Sequence, residues 1–533
     1  MWRLRTVGHK ARGPGIRSEE FKLKRREREK VLRQARRDRH LVSKRLLLHD
    51  YDEEEGDEEH TRASVKPASS EQVVEIMCKL QTGGEDKATA LRSLRNVLRS
   101  PEVHVAFIRL ENSVPVLVGL LSGSDAQCRV EAAKCLHQLS HSPCPNVGLA
   151  CLPATPYLLT YLSGQRGKFT ELCLYTLGNL CAESEPVRER LQAQGIVMAL
   201  VSCIQVSIFQ GIHSNCVRGQ VQQRIWTEFV LRQNHGGSLA VLEAVAFTLS
   251  QLLQAREGAS KVAPLVLTLG LIPHLVAGLT PDPEFGIGAA IECAWCLHYL
   301  ASCEVDKSEL ISQGVVSRCS SLLITLEETV AQGDLQEGLE LLIWPLVRCL
   351  GNLLASSACE NTEECVRDTR VLSALCGFSH RVLQMHPALT KETLWVVNNL
   401  TADSPAWCSA LLSFGLLPGL LQLLPLSLGI NCMVLRIVGN VAHKGSVFSL
   451  MLTQGGLLPP LCATLKMADP EVVTLSLEVL YLLVTSSQQA GEEFVKQNGQ
   501  SVLEMIQYSS DEALRQRAAA IVDLLPQAAA DER

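Results

Sequence analysis

Three groupings of side chains in the sequence have types and spacings that could do chemistry. Cys293-Ala-Trp-Cys296 has the spacing of a zinc or redox thiol pair. Zinc needs four ligands, however, and no second pair stands at a matching interval. Both sulfurs sit in the apolar phrase "ECAWCLHYL", so buried packing is the expectation. His137 and His141 lie four residues apart, on one face of a helix, but without the acid of a zinc-protease motif. A satisfied or exposed pair is the expected reading. No glycine-rich phosphate loop and no nucleophile elbow occur. An enzyme is therefore not expected, and neither a cofactor nor a metal is called for.

The third grouping is ionic. Residues 1–46 carry 17 Lys/Arg against 5 Asp/Glu, and "DYDEEEGDEE" (50–59) carries eight acids. The 533-residue chain as a whole has a net charge of −6. Such segregation marks a partner-binding tail rather than a general nucleic-acid binder. The basic run could release counterions from a polyanion. No aromatic residue interrupts it between Phe21 and Tyr51, so bases would find no stacking platform. Direct nucleic-acid binding is not expected.

The elements that must position these groups are helices. The composition is 47% hydrophobic but only 5% aromatic and is dominated by Leu, a balance that favours an all-α protein. A phrase built around a turn, Pro and a Leu-rich face recurs as "ENSVPVLVGLL", "QGIVMALVSCI", "LGLIPHLVAGL", "FGLLPGLLQLL" and "GGLLPPLCATL". A second helical phrase follows each copy, for example "LCLYTLGNL", "LVRCLGNL", "TLWVVNNL" and "VLRIVGNV". The residue before its last apolar position is Gln138, Asn179, Gln251, Tyr299, Asn352, Asn399 and Asn440 in turn. The intervals are 41, 72, 48, 53, 47 and 41 residues. Armadillo units span roughly 40–47 residues, so five of the six fit with modest loop insertions.

The expected organisation is a basic segment over 1–48, an acidic flexible linker over 49–70, and a solenoid over 71–525 with a tail at 526–533. Residues 206–237 read as an insert within one unit, either a long surface loop or sequence from a variant transcript. Residues 73–98 read as an incomplete first unit, 471–484 as part of the last repeat, and 495–525 as a capping helix pair. Two apolar stretches, 262–279 and 411–430, approach the length of a membrane span. Both fall in register with the repeat, which makes a span the less favoured reading. The 20 cysteines are mostly flanked by apolar residues, and Arg3 and Arg5 stand close behind Met1. Reduced core thiols are the expectation.

The array, with "WVVNNL" and "YTLGNL" and a basic segment before it, resembles the importin-α family of nuclear import adaptors. "FKLKRREREKVLRQARRDRHLVSKRL" is similar to that family's importin-β-binding segment. Lys24, Arg25, Arg26 and Arg28 match its first basic run. Leu32, Arg33, Arg36, Arg37 and Arg39 match the middle, and Lys44 and Arg45 the end. The resemblance implies a right-handed armadillo-repeat superhelical solenoid with a basic N-terminal helix. It also implies an importin-β-like carrier and cargo proteins with basic signals as partners, and work in the cytoplasm and nucleus. The open alternative is a non-transport scaffold for protein partners, with or without association with a membrane. Cargo in this family lies along a ladder of Trp and, four residues on, Asn. That spacing puts ring and amide on one helix face. Trp395–Asn399 matches it fully, Tyr175–Asn179 keeps an aromatic, and Phe247–Gln251 is a softened copy. Trp295 has Tyr299 in place of the amide. Asn352 and Asn440 have Arg348 and Arg436 at the ring position, and Gln138 has Lys134, charges expected to oppose a basic ligand. Glu183 and Asp403 stand where the family places an acid for a cargo lysine. Lys44 and Arg45 could fill the groove as an autoinhibitor, although Leu46 replaces the third basic residue.

Overall fold

A computed structural model describes residues 70–526, apart from 83–85, 164–166, 210–234, 283–285, 333–337, 357, 360, 385 and 428. The basic segment, with the residues expected to meet a carrier, most of the linker and residues 210–234 of the insert lie outside the described residues. Among the described residues every regular element is helical. They fall into two compact units, one ending at Val305 and the other beginning at Asp306. Each is an all-α armadillo-repeat solenoid.

In the N-terminal unit the long inner helices are Ala126–Ser140, Lys168–Glu183, His235–Gln254 and Gly288–Ser302, packed in succession. In the C-terminal unit they are Glu340–Leu354, Pro387–Asp403, Ile430–Ala442 and Pro470–Ser486. Shorter helices precede each one, except that Glu340–Leu354 follows the 17-residue helix Val315–Ala331. The two short helices meet nearly at right angles, as in Pro101–Arg109 with Ser113–Leu121 (96°) and Ser446–Gln454 with Leu458–Thr464 (87°). The corner needs a residue in the left-handed region. Gly415 (φ 65°) supplies it in "SFGLLP", and Asn112 (φ 60°), a side chain that tolerates this conformation, supplies it in "ENSVP".

Starts of the long helices are written in the sequence. Asp125 accepts from the backbone N–H groups of Gln127 (2.8 Å) and Cys128 (2.9 Å), capping Ala126–Ser140. Pro387 and Pro470 occupy first turns, where a missing N–H costs nothing. Leu faces then close the interior. Leu136, Leu177, Leu249, Leu350, Leu400 and Leu435 all lie buried. A leucine side chain contributes about 1.5–3 kcal/mol when it is fully buried.

The apolar stretch 262–279 is not one helix. It is broken at a corner of 91° between Gly258–Thr268 and Ile272–Gly278. The stretch 411–430 is divided among Pro405–Ser413, Leu417–Gln422 and the start of Ile430–Ala442. Among the described residues no single helix is long and apolar enough to cross a membrane. The segment after 487 opens with the helix Gln488–Lys496, and within 495–525 the expected helix pair follows as Gly499–Gln507 and Glu512–Val522, packed on each other. It is a shortened further repeat, whose last helix packs on Pro470–Ser486.

Candidate functional site

In the N-terminal unit the ladder side chains interlock between successive inner helices. The Tyr175 and Phe247 rings are 5.5 Å apart, both buried. Phe247 can come this close because residue 178 is glycine: a Cβ there would stand 2.6 Å from the Phe247 ring. Beside it, the Thr248 hydroxyl donates to the Leu174 carbonyl (2.8 Å), tying the two helices together. Gln251 is buried and donates to Ser250 Oγ (3.4 Å), while the Ser250 hydroxyl lies 3.1 Å from Glu292 Oε2. Trp295 is buried against Tyr299 (5.7 Å) and His298 (5.6 Å). Asn179 is only partly buried, with its Nδ2 3.2 Å from Ser140 Oγ and 3.3 Å from His141 Nε2. His141 and the buried His137 meet edge to face at 4.7 Å. The Glu183 side chain lies outside the described residues.

In the C-terminal unit Trp395 stands half-buried on Pro387–Asp403, with its indole across Gly351 of the preceding inner helix. Asn399, one turn on, is fully buried. Its Oδ1 accepts from Asn398 Nδ2 (3.4 Å), and its own Nδ2 has no hydrogen-bond partner among the described residues. Asn352 is half-buried. Asn440, by contrast, is committed to the fold. Its Nδ2 donates to the Asn398 backbone carbonyl and side-chain Oδ1 (3.1 Å each), and lies 3.3 Å from Thr401 Oγ1. Asp403 is engaged as well. Its Oδ2 accepts from the Thr362 N–H (3.2 Å) and hydroxyl (2.6 Å), holding the start of the helix Thr362–Cys365. Trp407 Nε1 donates to the same Thr362 oxygen (2.8 Å).

The basic residues at the ring positions are not bare charges. Lys134 pairs with Glu131 (3.2 Å), which also meets Arg95 (3.4 Å), all three buried. Arg348 pairs with Glu392 (3.8 Å), and Arg436 with Glu471 (3.0 Å). The repulsion expected from the sequence is thereby offset by carboxylates from a facing helix, or in the case of Lys134 from one turn back. The Cys293 and Cys296 pair is core: the Cys296 thiol donates to the Ala246 carbonyl (3.1 Å), and burial pushes the Cys293 thiol far above its ordinary range.

Two features of the site went unread in the sequence. One is the glycine before the ladder amide in "LGNL", which the aromatic ring of the next unit covers. Its recurrence as Gly178 and Gly351 was the available signal. The other is the Thr362 hydroxyl that binds Asp403, which had no signal because it lies 41 residues away.

Comparison with known proteins agrees with this architecture. A crystal structure of an engineered protein aligns with 85% of this chain and 98% of its own, with a TM-score of 0.62 at 16% identity, a likeness of fold. Importin subunit alpha-9 of Arabidopsis thaliana is 24% identical over 85% of this chain and 83% of its own length. Importin subunit alpha-2 of Oryza sativa subsp. japonica is 26% identical over 88% and 84%. The TMCO6 family model matches residues 73–214 and 211–527, nearly the whole repeat array, and the chain belongs to that family.

Proposed function

We propose that this chain is an adaptor of the importin-α type, working between cytoplasm and nucleus. Its basic segment, Lys24 to Arg45, docks an importin-β-like carrier, and the inner helices hold extended basic segments of cargo proteins. The carrying observation is on Pro387–Asp403, where a half-buried indole stands one turn before an amide whose Nδ2 lacks a partner among the described residues. An indole face attracts the stem and charge of Lys or Arg. Similarity to two importin α subunits over most of their length supports the reading. So does the pairing of Arg348 and Arg436 with glutamates, which lowers the local barrier to a basic ligand.

A second reading is a scaffold that binds protein partners without carrying import cargo. Asn440 and Asp403 favour it, because their polar groups bond within the fold. Capture by immobilised importin-β, comparing the full chain with one lacking residues 1–48, separates the two. The adaptor reading predicts capture that depends on the tail. Equal capture of both forms, or none of either, supports the scaffold.

A further inference from the structure

Away from the ladder, one pair of side chains is set for covalent chemistry. Cys359 and Cys365 lie on either side of the turn at Thr362, with their sulfurs 3.3 Å apart. A disulfide requires about 2.05 Å, so closure needs an approach of roughly 1.3 Å. The element that must move is the helix Thr362–Cys365, only four residues long. Cys365 is partly open to solvent while Cys359 is 2% exposed, giving one accessible sulfur and one sheltered behind it. Cys319 and Cys349 also share a hydrogen bond, but both are fully buried and no oxidant reaches them. Isolated core thiols such as Cys151 and Cys376 are pushed up to about 12 by burial and carry almost no thiolate.

We propose that Cys359 and Cys365 form a reversible intrachain disulfide, making this turn an oxidant-modified site. With glutathione disulfide as the oxidant, the Cys365 thiolate attacks one of its sulfurs. This gives a mixed disulfide and expels one glutathione thiolate. The Cys359 thiolate then attacks the Cys365 sulfur and expels the second glutathione. The two protein thiols lose two electrons and two protons in all, and glutathione disulfide is reduced to two thiols. Between the cysteines stands Thr362, which holds Asp403 and accepts from Trp407. Drawing Cys365 toward Cys359 shifts that hold. An effect on basic-segment binding at Asp403 rests on the adaptor reading, whereas the disulfide itself does not.

The test uses the full chain, reduced and then equilibrated with glutathione buffers of increasing oxidant content. Remaining thiols are alkylated, and the chain is cleaved after glutamate. The bonds after Glu363 and Glu364 lie between the two cysteines, so the fragments stay joined only through a disulfide. The proposal predicts joined fragments and two fewer alkylated thiols, both reversed by dithiothreitol. It predicts a change in tryptophan emission on oxidation that disappears in Cys359→Ser. Separate fragments with both cysteines alkylated would overturn it. So would glutathione retained on Cys365 beside an alkylated Cys359. Fragment mapping in the wild-type chain decides the matter even if the variant fails to fold.

Discussion

Trp395 lies across Gly351 so closely that a Cβ on the glycine would stand 2.7 Å from the indole Cε3. Phe247 over Gly178 repeats the relationship at 2.6 Å. Each ring uses the missing side chain of the preceding unit as its seat. The ladder aromatic is thus a packing element of the solenoid as well as a candidate contact for a ligand.

Alanine at residue 351 meets two opposing effects. Helix propensity favours alanine over glycine by about 1 kcal/mol. Overpacking against a rigid ring costs about 1–3 kcal/mol. Gly351→Ala is therefore expected to destabilise the wild-type chain. The same substitution in a Trp395→Ala background is expected to stabilise it by about 1 kcal/mol. Urea unfolding of the four proteins measures this reversal of sign.

The ion pairs at the ring positions differ in depth. Arg348 and Glu392 are 5% and 12% exposed, while Arg436 and Glu471 are 26% and 61% exposed. Losing one member of a buried pair strands the other and costs about 3–5 kcal/mol. A surface pair contributes about 0–1 kcal/mol. Glu392→Gln is expected to lower the melting temperature clearly, and Glu471→Gln to leave it nearly unchanged. Thermal melts followed by circular dichroism make the comparison.

Asn399 and Asn440 are both buried amides with different bonding. Alanine removes the same atoms from each, so the difference reports hydrogen bonds more than lost volume. Asn440→Ala is expected to cost about 1–2 kcal/mol more than Asn399→Ala. Chemical denaturation of the two variants gives the comparison directly. An equal loss would mean that the Asn440 bonds to Asn398 contribute nothing net.

Most of the fold was legible in the sequence because it repeats. The turn, the Leu face and the terminal amide recur at nearly constant intervals, so each copy corroborates the others. Helix corners were legible for the same reason, with Asn112 and Gly415 in equivalent places. Polar commitments between units were not. Asn440 looks like Asn399 in the sequence, yet the amide nitrogen of one bonds across to the neighbouring helix and that of the other has no partner among the described residues. The Glu392 and Glu471 partners of the ladder arginines lie 44 and 35 residues away, at a register that only packing sets. The aromatic at Trp295 likewise proved buried, for want of any signal to tell a wall from a core.

His104 ties stability to pH. Burial holds its imidazole below the ordinary value near 6.5, while Nε2 donates to the Leu98 carbonyl at 2.7 Å. The unfolded chain takes up a proton on this histidine first as pH falls through about 6.5. Stability is therefore undiminished above that pH and declines below it, until the folded state is protonated too. His104→Gln is expected to flatten the decline between pH 7 and pH 5. Urea midpoints at those two pH values check it.

The most direct test of the central claim is a titration of a fluorescent peptide bearing a basic import signal, followed by anisotropy. The chain lacking residues 1–48 is used so that its own basic segment cannot compete. Saturable binding is expected, weakened by Trp395→Ala about 10-fold or more, in the range of a lost cation–π contact and its packing. Binding should also fall with added salt. Equal binding by the wild-type and Trp395→Ala proteins, or none by either in a folded chain, would contradict it.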